Sequence, residues 1–143
     1  MKLREIMTNT VVRIHPEESV AVAARTLAHC NIGILPVCGG DGRVCGLVTD
    51  RDLVTRCVAS GKNPSVTPVR EIMTRNVITA QADMQAAEAA LLMGREQIRR
   101  LPVVENGKLC GIVSLGDLAN RKQSILQAGD ALAEISQNLS MRD

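Results

Sequence analysis

Apolar and polar positions follow one another in an order that predicts a mixed α and β unit. Residues 11–14 (Val-Val-Arg-Ile) predict a short strand, and the Pro-Glu-Glu-Ser at 16–19 is typical of a helix start. Apolar residues then recur at helical spacing between positions 20 and 27, so we expect an amphipathic helix. Residues 34–38 and 44–48 are apolar runs separated by a glycine-rich turn, which indicates a β-hairpin.

A second helix should begin near Asp50, so the predicted order of elements is β-α-β-β-α. The same order can be read again further along the chain. Val77-Ile78 predicts a strand, Asp83 a helix N-cap, and residues 86–93 an alanine-rich helix. Residues 100–113 then predict a second hairpin around Asn106-Gly107, a strong turn signal.

The second set of elements belongs to an internal repeat of the sequence. Arg4-Glu5-Ile6-Met7-Thr8 recurs unchanged at residues 70–74, and Leu35-Pro36-Val37 recurs at 101–103. We expect repeats at 1–60 and 68–122, a turn-rich linker at 61–67 and a helical tail at 123–143. Because three short strands cannot be buried on both faces alone, the repeats should pack together about a pseudo-twofold axis.

The tail carries apolar residues spaced alternately three and four apart, as on one seam of a helix. These residues are Ile125, Ala128, Leu132, Ile135 and Leu139. Two interpretations stay open: a helix docked on its own domain, and a helix that binds a second subunit or a partner.

The composition excludes several classes of function. A net charge of +2 with scattered arginines does not form a basic stripe, so nucleic acid is not an expected partner. No apolar run approaches the roughly 20 residues that span a bilayer, and the start of the chain does not resemble a signal peptide, so we expect a cytoplasmic protein without membrane contact. The chain has no Phe, Tyr or Trp, so a bound base would lie between aliphatic side chains.

The reactive side chains do not form a catalytic or metal cluster. The cysteines are odd in number and form no C-x-x-C pair, which argues against a disulfide framework or a zinc ribbon. Cys45 and Cys110 occupy matching strand positions and are predicted to be core residues. His15 and His29 belong to no ligand cluster, so we expect no metal, no catalytic cofactor and no enzyme activity.

The most informative repeat is the seven-residue stretch from Gly46 to Asp52, whose skeleton returns from Gly111 to Asp117. Each copy has a glycine, two aliphatic residues, a hydroxyl and, three residues later, an acid. The hydroxyl and the acid match the capping box of a helix start. They are equally compatible with a turn that holds a ligand.

Taken together, the duplicated order of elements, the Met-Thr before each first strand, the Leu-Pro-Val and the Gly-x-x-Thr/Ser-x-x-Asp turn resemble a cystathionine-β-synthase (CBS) domain pair, or Bateman module. The resemblance covers residues 2–119 and implies an α+β fold of two tandem CBS repeats plus a C-terminal helix. It implies that an adenine nucleotide (AMP, ADP or ATP, and in some members NAD or S-adenosylmethionine) binds in the cleft between the repeats.

The resemblance also assigns roles to residues of this chain. Asp52 and Asp117 would bind ribose, and Thr49 and Ser114 would bind phosphate near the N–H groups of a helix start. The other implied contacts are the aliphatic walls Leu47 and Ile112, the backbone of Val11, Val12, Val77 and Ile78, and the phosphate-binding guanidinium groups of Arg99 and Arg100. The first repeat has Gly33 and Ile34 in place of these arginines, so we expect one stronger and one weaker site.

The predicted function is therefore a regulatory sensor whose ligand changes the packing of the repeats. The family pattern implies a homodimer, and a partner protein would read the change. Two alternatives stay open: a ligand-free oligomerisation or scaffold module of the same fold, and a sensor that responds to thiol oxidation or to a metal.

Overall fold

The structure is a computed structural model that describes residues 1–119 and 129–136. By packing, the chain forms two compact units. The first unit is Val12–Val77, and the second unit combines Met1–Val11 with the chain from Ile78 onward. The units therefore differ from the sequence repeats, because the segment that begins each repeat packs with the elements of the other repeat.

The first unit contains one hairpin, two longer helices and the short 3-10 helix Val69–Glu71. Helix α1 (Val20–Cys30) precedes strands β1 (Ile34–Cys38) and β2 (Val44–Thr49), which pair in an antiparallel sheet. Helix α2 begins as an α-helical turn at Asp50–Asp52 and continues as a π-helix over Leu53–Val58.

The predicted α1 is confirmed together with its start. The Ser19 hydroxyl accepts a hydrogen bond from the Val22 N–H at 3.2 Å, which satisfies one of the free donors of the first turn. The helix ends where Asn31 adopts a left-handed conformation with φ of 53°. Val20 and Leu27 are buried in the core of this unit, so the predicted apolar face is the packed face.

The second unit begins with the 3-10 helix Leu3–Glu5, and its other described elements are three strands and three further helical segments. These elements are β3 (Ala80–Gln81), α3 (Ala86–Glu96), β4 (Arg100–Glu105), β5 (Lys108–Ser114), α4 (Leu115–Ala119) and a helical stretch at residues 129–136. The sheet has the order β3-β4-β5, with β3 parallel and β5 antiparallel to β4. The predicted Asn106-Gly107 turn is present, and both residues have positive φ, as this tight hairpin turn requires.

Two predicted strands differ from the structure. In residues 11–14 only Ile14 joins the sheet, as an isolated parallel bridge to Val37. The strand expected at Val77-Ile78 lies instead at Ala80–Gln81, because these are the residues that meet Val103 and Val104 of β4. The local pattern of apolar residues does not show which residues form hydrogen bonds with a neighbouring strand.

The predicted N-cap Asp83 was also wrong. Helix α3 begins after Gln85, whose side chain makes no capping hydrogen bond. The Ala86 N–H donates instead to the Met1 carbonyl at 2.8 Å. A distant backbone carbonyl thus replaces the expected side-chain cap.

The described part of the tail packs on the second unit. Ala131 and Ile135 are buried in the core of this unit, whereas Leu132 is 40% exposed. A Cβ on Gly94 of α3 would lie 3.0 Å from the Ala131 Cβ, so glycine permits the close approach. These residues therefore agree with the interpretation of a helix docked on its own domain. The other predicted seam residues, Ile125, Ala128 and Leu139, lie outside the described residues.

In each unit a Met-Thr segment forms a backbone bridge to the last strand of the hairpin. Thr74 and Leu47 exchange two backbone hydrogen bonds, of 2.9 and 2.8 Å, at the outer edge of β2. Thr8 and Ile112 do the same beside β5, at 2.9 and 3.1 Å. Through these bridges the Met7-Thr8 segment packs with the second repeat, and the Met73-Thr74 segment packs with the first repeat.

Two glycines make room for these segments. A Cβ on Gly46 would lie 2.6 Å from the Met73 Sδ and 2.9 Å from the Thr74 carbonyl oxygen. A Cβ on Gly111 would overlap the Met7 side chain in the same way. The glycine of each repeated turn motif is thus required by close backbone approach.

We predict that Gly46→Ala lowers the free energy of unfolding by about 1–3 kcal/mol, since the added methyl group overpacks the site. Chemical denaturation measures the loss. Gly40→Ala is the matched control, because nothing lies within 4 Å of a Cβ at Gly40. Equal stability of the two variants would contradict the close-approach argument.

Candidate functional site

The first candidate turn joins β2 to α2. The Thr49 hydroxyl accepts a hydrogen bond from the Asp52 N–H at 3.1 Å, and the Asp52 Oδ2 accepts one from the Thr49 N–H at 3.0 Å. This reciprocal pair is a capping box, so one of the two interpretations of the motif is present in the fold.

The Asp52 carboxylate has further partners. It is 6% exposed, and the Thr74 hydroxyl donates to it at 3.3 and 3.4 Å from the two oxygens. The Arg56 Nε lies 3.6 Å from Oδ1, and the Arg56 Nη1 donates to the Met73 carbonyl at 3.1 Å. Both oxygens of Asp52 are therefore engaged, and Arg56 balances the charge of this buried acid.

The second candidate turn joins β5 to α4 with the same geometry. The Asp117 N–H donates to the Ser114 hydroxyl at 3.0 Å, and the Ser114 N–H donates to the Asp117 Oδ2 at 2.9 Å. Asp117 is half-buried, and its Oδ1 has no hydrogen bond or ion pair with another described residue. The residue that corresponds to Arg56 is Arg121, which lies outside the described residues.

The two predicted arginines lie beside the second turn. Arg100 is directly opposite Ser114 in the β4–β5 ladder, so the two side chains share a face of the sheet. The Arg99 carbonyl accepts a hydrogen bond from the Leu115 N–H at 2.9 Å. Both arginines are exposed, and neither side chain forms an ion pair with another residue in the described ranges. They can therefore turn toward an anion at this edge.

The first unit lacks this feature. The carbonyl of Gly33, at the position of Arg99, accepts a hydrogen bond from the Asp50 N–H at 3.2 Å, so the backbone is the same in both units. A Cβ on Gly33 would lie 3.6 Å from the Asp50 Oδ2. A carboxylate thus lies beside the position that Arg99 occupies in the second unit.

The predicted apolar and backbone contacts lie near the turns. Leu47 and Ile112 are half-buried and carry the bridges to Thr74 and Thr8. The Val77 N–H donates to the Arg75 carbonyl at 3.1 Å.

The remaining predicted contacts are Val11, Val12 and Ile78, whose N–H groups have no acceptor in the described part of the chain. Val12 is 40% exposed.

Two residues at the first turn, Thr74 and Arg56, were not predicted from the sequence. A signal for Thr74 was present, because it belongs to the Arg-Glu-Ile-Met-Thr repeat that returns from residues 4–8. Arg56 also recurs, as Arg121, at the spacing that relates Asp52 to Asp117. Extending the repeat comparison past the acid would have identified it.

The family assignment follows from comparison with known proteins. The CBS domain model matches residues 3–59 and 69–124, so the chain belongs to the CBS-domain family and contains two of these domains. The CBS domain-containing protein YhcV of Bacillus subtilis is 38% identical over 134 residues, which is 94% of this chain and 94% of YhcV. The predicted α+β fold of two CBS repeats is confirmed, and CBS pairs are commonly regulatory ligand-binding modules rather than catalysts.

Solved structures agree with this assignment. A structure of Hypoxic Response Protein I with two coordinated zinc ions has a TM-score of 0.78 and 32% identity, covering 85% of this chain and 98% of that one. The CBS domain pair of protein MJ0100, in complex with 5′-methylthioadenosine and S-adenosyl-L-methionine, has a TM-score of 0.73 and 30% identity, covering 84% and 94%.

Within residues 1–119 and 129–136, no three His, Cys, Asp or Glu side chains are grouped so that they could hold a metal ion. Across the same ranges, no helix has the length and apolar character needed to cross a membrane.

We predict that Thr74→Val lowers the free energy of unfolding by about 0.5–1.5 kcal/mol, because Asp52 loses a hydrogen-bond donor. The loss should shrink in an Asp52→Asn background, where the acceptor is no longer charged, and chemical denaturation of the double-mutant cycle measures the coupling. The matched background is Asp117→Asn, in which Thr74→Val should keep its full effect. Equal losses in both backgrounds would show that Thr74 acts elsewhere.

Proposed function

We propose that the chain is a regulatory module that binds an adenine nucleotide, with AMP, ADP, ATP and NAD as candidate ligands. The observation that carries this proposal is in the second unit. Asp117 keeps one carboxylate oxygen without a partner among the described residues, beside the exposed Arg99 and Arg100. An acceptor for ribose and cations for phosphate thus occur on one edge.

The capping box and ribose binding are compatible at Asp117. The cap uses Oδ2, and an ionised carboxylate can accept further hydrogen bonds at its other oxygen. A ribose offers two neighbouring hydroxyl donors, which suit such an acceptor. At Asp52 the same oxygen already faces Arg56 and Thr74, so a ribose would have to displace them. We therefore assign the stronger site to Ser114 and Asp117 and the weaker one to Thr49 and Asp52.

Phosphate recognition is assigned to the β4 edge. The Ser114 hydroxyl accepts from the Asp117 N–H, which leaves its own proton available to a phosphate oxygen. Arg100 shares the sheet face of Ser114, and a guanidinium group binds phosphate through two parallel hydrogen bonds. The complex of the MJ0100 pair supports the adenosine part of this proposal, since both of its ligands contain adenosine.

We predict that Asp117→Ala weakens the binding of AMP, ADP, ATP or NAD by about tenfold or more, because a charged hydrogen bond to ribose is lost. Isothermal titration calorimetry measures the change. Asp83→Ala, which removes an exposed acid of the same unit, should leave binding unchanged, and Asp52→Ala should have the smaller effect. If no adenine compound binds the wild-type chain, the proposal is wrong.

Substitution of Arg99 and Arg100 tests the phosphate contacts separately from the ribose contact. Arg99→Ala and Arg100→Ala should weaken the binding of nucleotides but not of adenosine, whereas Asp117→Ala should weaken both. Arg95→Ala is the matched control, since Arg95 is held by Glu96 at 3.7 Å. Equal losses for adenosine and nucleotides in Arg99→Ala would remove the phosphate assignment and retain the ribose assignment.

The absence of Phe, Tyr and Trp permits a direct observation on the purified protein. The chain itself absorbs little near 260 nm, so an absorption band there reports a nucleotide that purified with it. The band should pass into the filtrate after denaturation if the nucleotide is bound without a covalent bond.

A second candidate function is assembly of several copies, and the surface of α3 favours it. Leu91 is 57% exposed on this helix. It borders a shallow groove of about 260 Å³ lined by Met84, Glu88, Leu91, Leu92 and Arg95. A cyanobacterial CBS-CP12 protein with 28% identity and a TM-score of 0.72 is hexameric, which supports assembly as a use of this fold.

We predict that Leu91→Glu lowers the molar mass in solution to that of a single chain, because a charge in an apolar interface is not solvated. Light scattering after size-exclusion chromatography measures the mass. Val66→Glu is the control, since it places the same charge at an exposed valine of the first unit. Assembly that survives Leu91→Glu would place the interface elsewhere.

A further inference from the structure

The first hairpin brings two thiols together at a β-bulge. Val37 pairs with Gly46 and Cys38 pairs with Val44, so Cys45 is the extra residue opposite this step. The Cys45 Sγ donates a hydrogen bond to the Val37 carbonyl at 3.4 Å, which holds it against the neighbouring strand. Two residues of a bulged strand face one residue of the partner strand, so Cys45 lies beside Val44, the residue that is directly opposite Cys38. Directly opposed residues have Cα atoms about 4.5–5.5 Å apart, and a disulfide can join Cα atoms up to about 6.8 Å apart.

The two thiols differ in their access to solvent. Cys45 is exposed, so the prediction that it is a core residue was wrong, whereas Cys38 is 4% exposed at the end of β1. Burial raises the pKa of the Cys38 thiol, Arg13 lowers it, and Cys45 raises it further.

The second hairpin shows the same bulge without the pair. Val103 pairs with Gly111 and Val104 pairs with Leu109, so Cys110 is the extra residue there. The Cys110 Sγ donates to the Val103 carbonyl at 3.4 Å, as Cys45 does to Val37. The position of Cys38 is held by Val104. The second thiol is therefore specific to the first repeat and is not required by the fold of the hairpin.

We propose that Cys38 and Cys45 are an oxidation site, at which a peroxide converts the two thiols into a disulfide across the first hairpin. The exposed Cys45 thiolate attacks the peroxide, so an S–O bond forms, the O–O bond breaks and one oxygen leaves as water or alcohol. The Cys38 thiolate then attacks the sulfenic acid, so the S–S bond forms and the second oxygen leaves as water. The two sulfur atoms supply the two electrons that reduce the peroxide.

Oxidation of this pair should be slow at neutral pH and faster at alkaline pH. Burial raises the pKa of Cys45, while its backbone hydrogen bond and Arg75 lower it. Both thiols are therefore largely protonated at neutral pH, and the thiolate is the form that reacts. Once formed, the disulfide would tie β1 to β2 beside the Gly46 edge that carries the Met73-Thr74 segment.

Trypsin provides a direct test, because Arg43 lies between the two cysteines. Cleavage after Arg25, Arg43 and Arg51 places Cys38 in peptide 26–43 and Cys45 in peptide 44–51. After treatment of the full chain with hydrogen peroxide and alkylation of remaining thiols, mass spectrometry should find these two peptides linked. Dithiothreitol should separate them.

Two variants identify the partners. Cys30 shares peptide 26–43, so the link should persist in Cys30→Ser and disappear in Cys38→Ser. Val104→Cys supplies the missing thiol to the second hairpin and should create a new link between peptides 101–108 and 109–121. The proposal is overturned if peroxide converts Cys45 to sulfinic acid without linkage, or if the link survives in Cys38→Ser.

Discussion

The contact on which each unit depends is the backbone bridge between a Met-Thr segment and the last strand of the hairpin. It requires glycine at Gly46 and Gly111, since a Cβ would meet Met73 or Met7. The bridge joins Leu47 to Thr74 across a long stretch of sequence and so closes the first unit on itself. The turn motif that begins with this glycine is therefore a structural requirement before it is a site.

The bridge also decides the chemistry of the turn that follows it. By holding Thr74 on the strand edge, it brings the Thr74 hydroxyl to Asp52, while Arg56 reaches both that acid and the Met73 carbonyl. The first turn is thus internally satisfied. Asp117, with the same cap, keeps one oxygen without a partner among the described residues and lies near the exposed Arg99 and Arg100.

Capping and ligand binding are consequently not competing uses of the motif. A carboxylate has two oxygens, and the reciprocal cap occupies one of them while orienting the other. The two turns share one backbone arrangement and differ in the residues at their borders. The change from Gly33 and Ile34 to Arg99 and Arg100 separates the predicted weak and strong nucleotide sites, and Cys38 in place of Val104 separates the thiol pair from the single thiol.

The repeat, both hairpins, α1 with its start near Ser19, and the hydroxyl–acid pairs of the two turns could be predicted from the sequence, because these depend on residues close together in the chain. The sequence did not determine the start of α3, which is satisfied by the Met1 carbonyl rather than by Asp83. Nor did it show that residues 1–11 pack with the second repeat, or that Thr74 meets Asp52. These contacts became visible only in the tertiary structure. Periodicity predicts the face that a segment buries and carries no information about the distant backbone that the segment contacts.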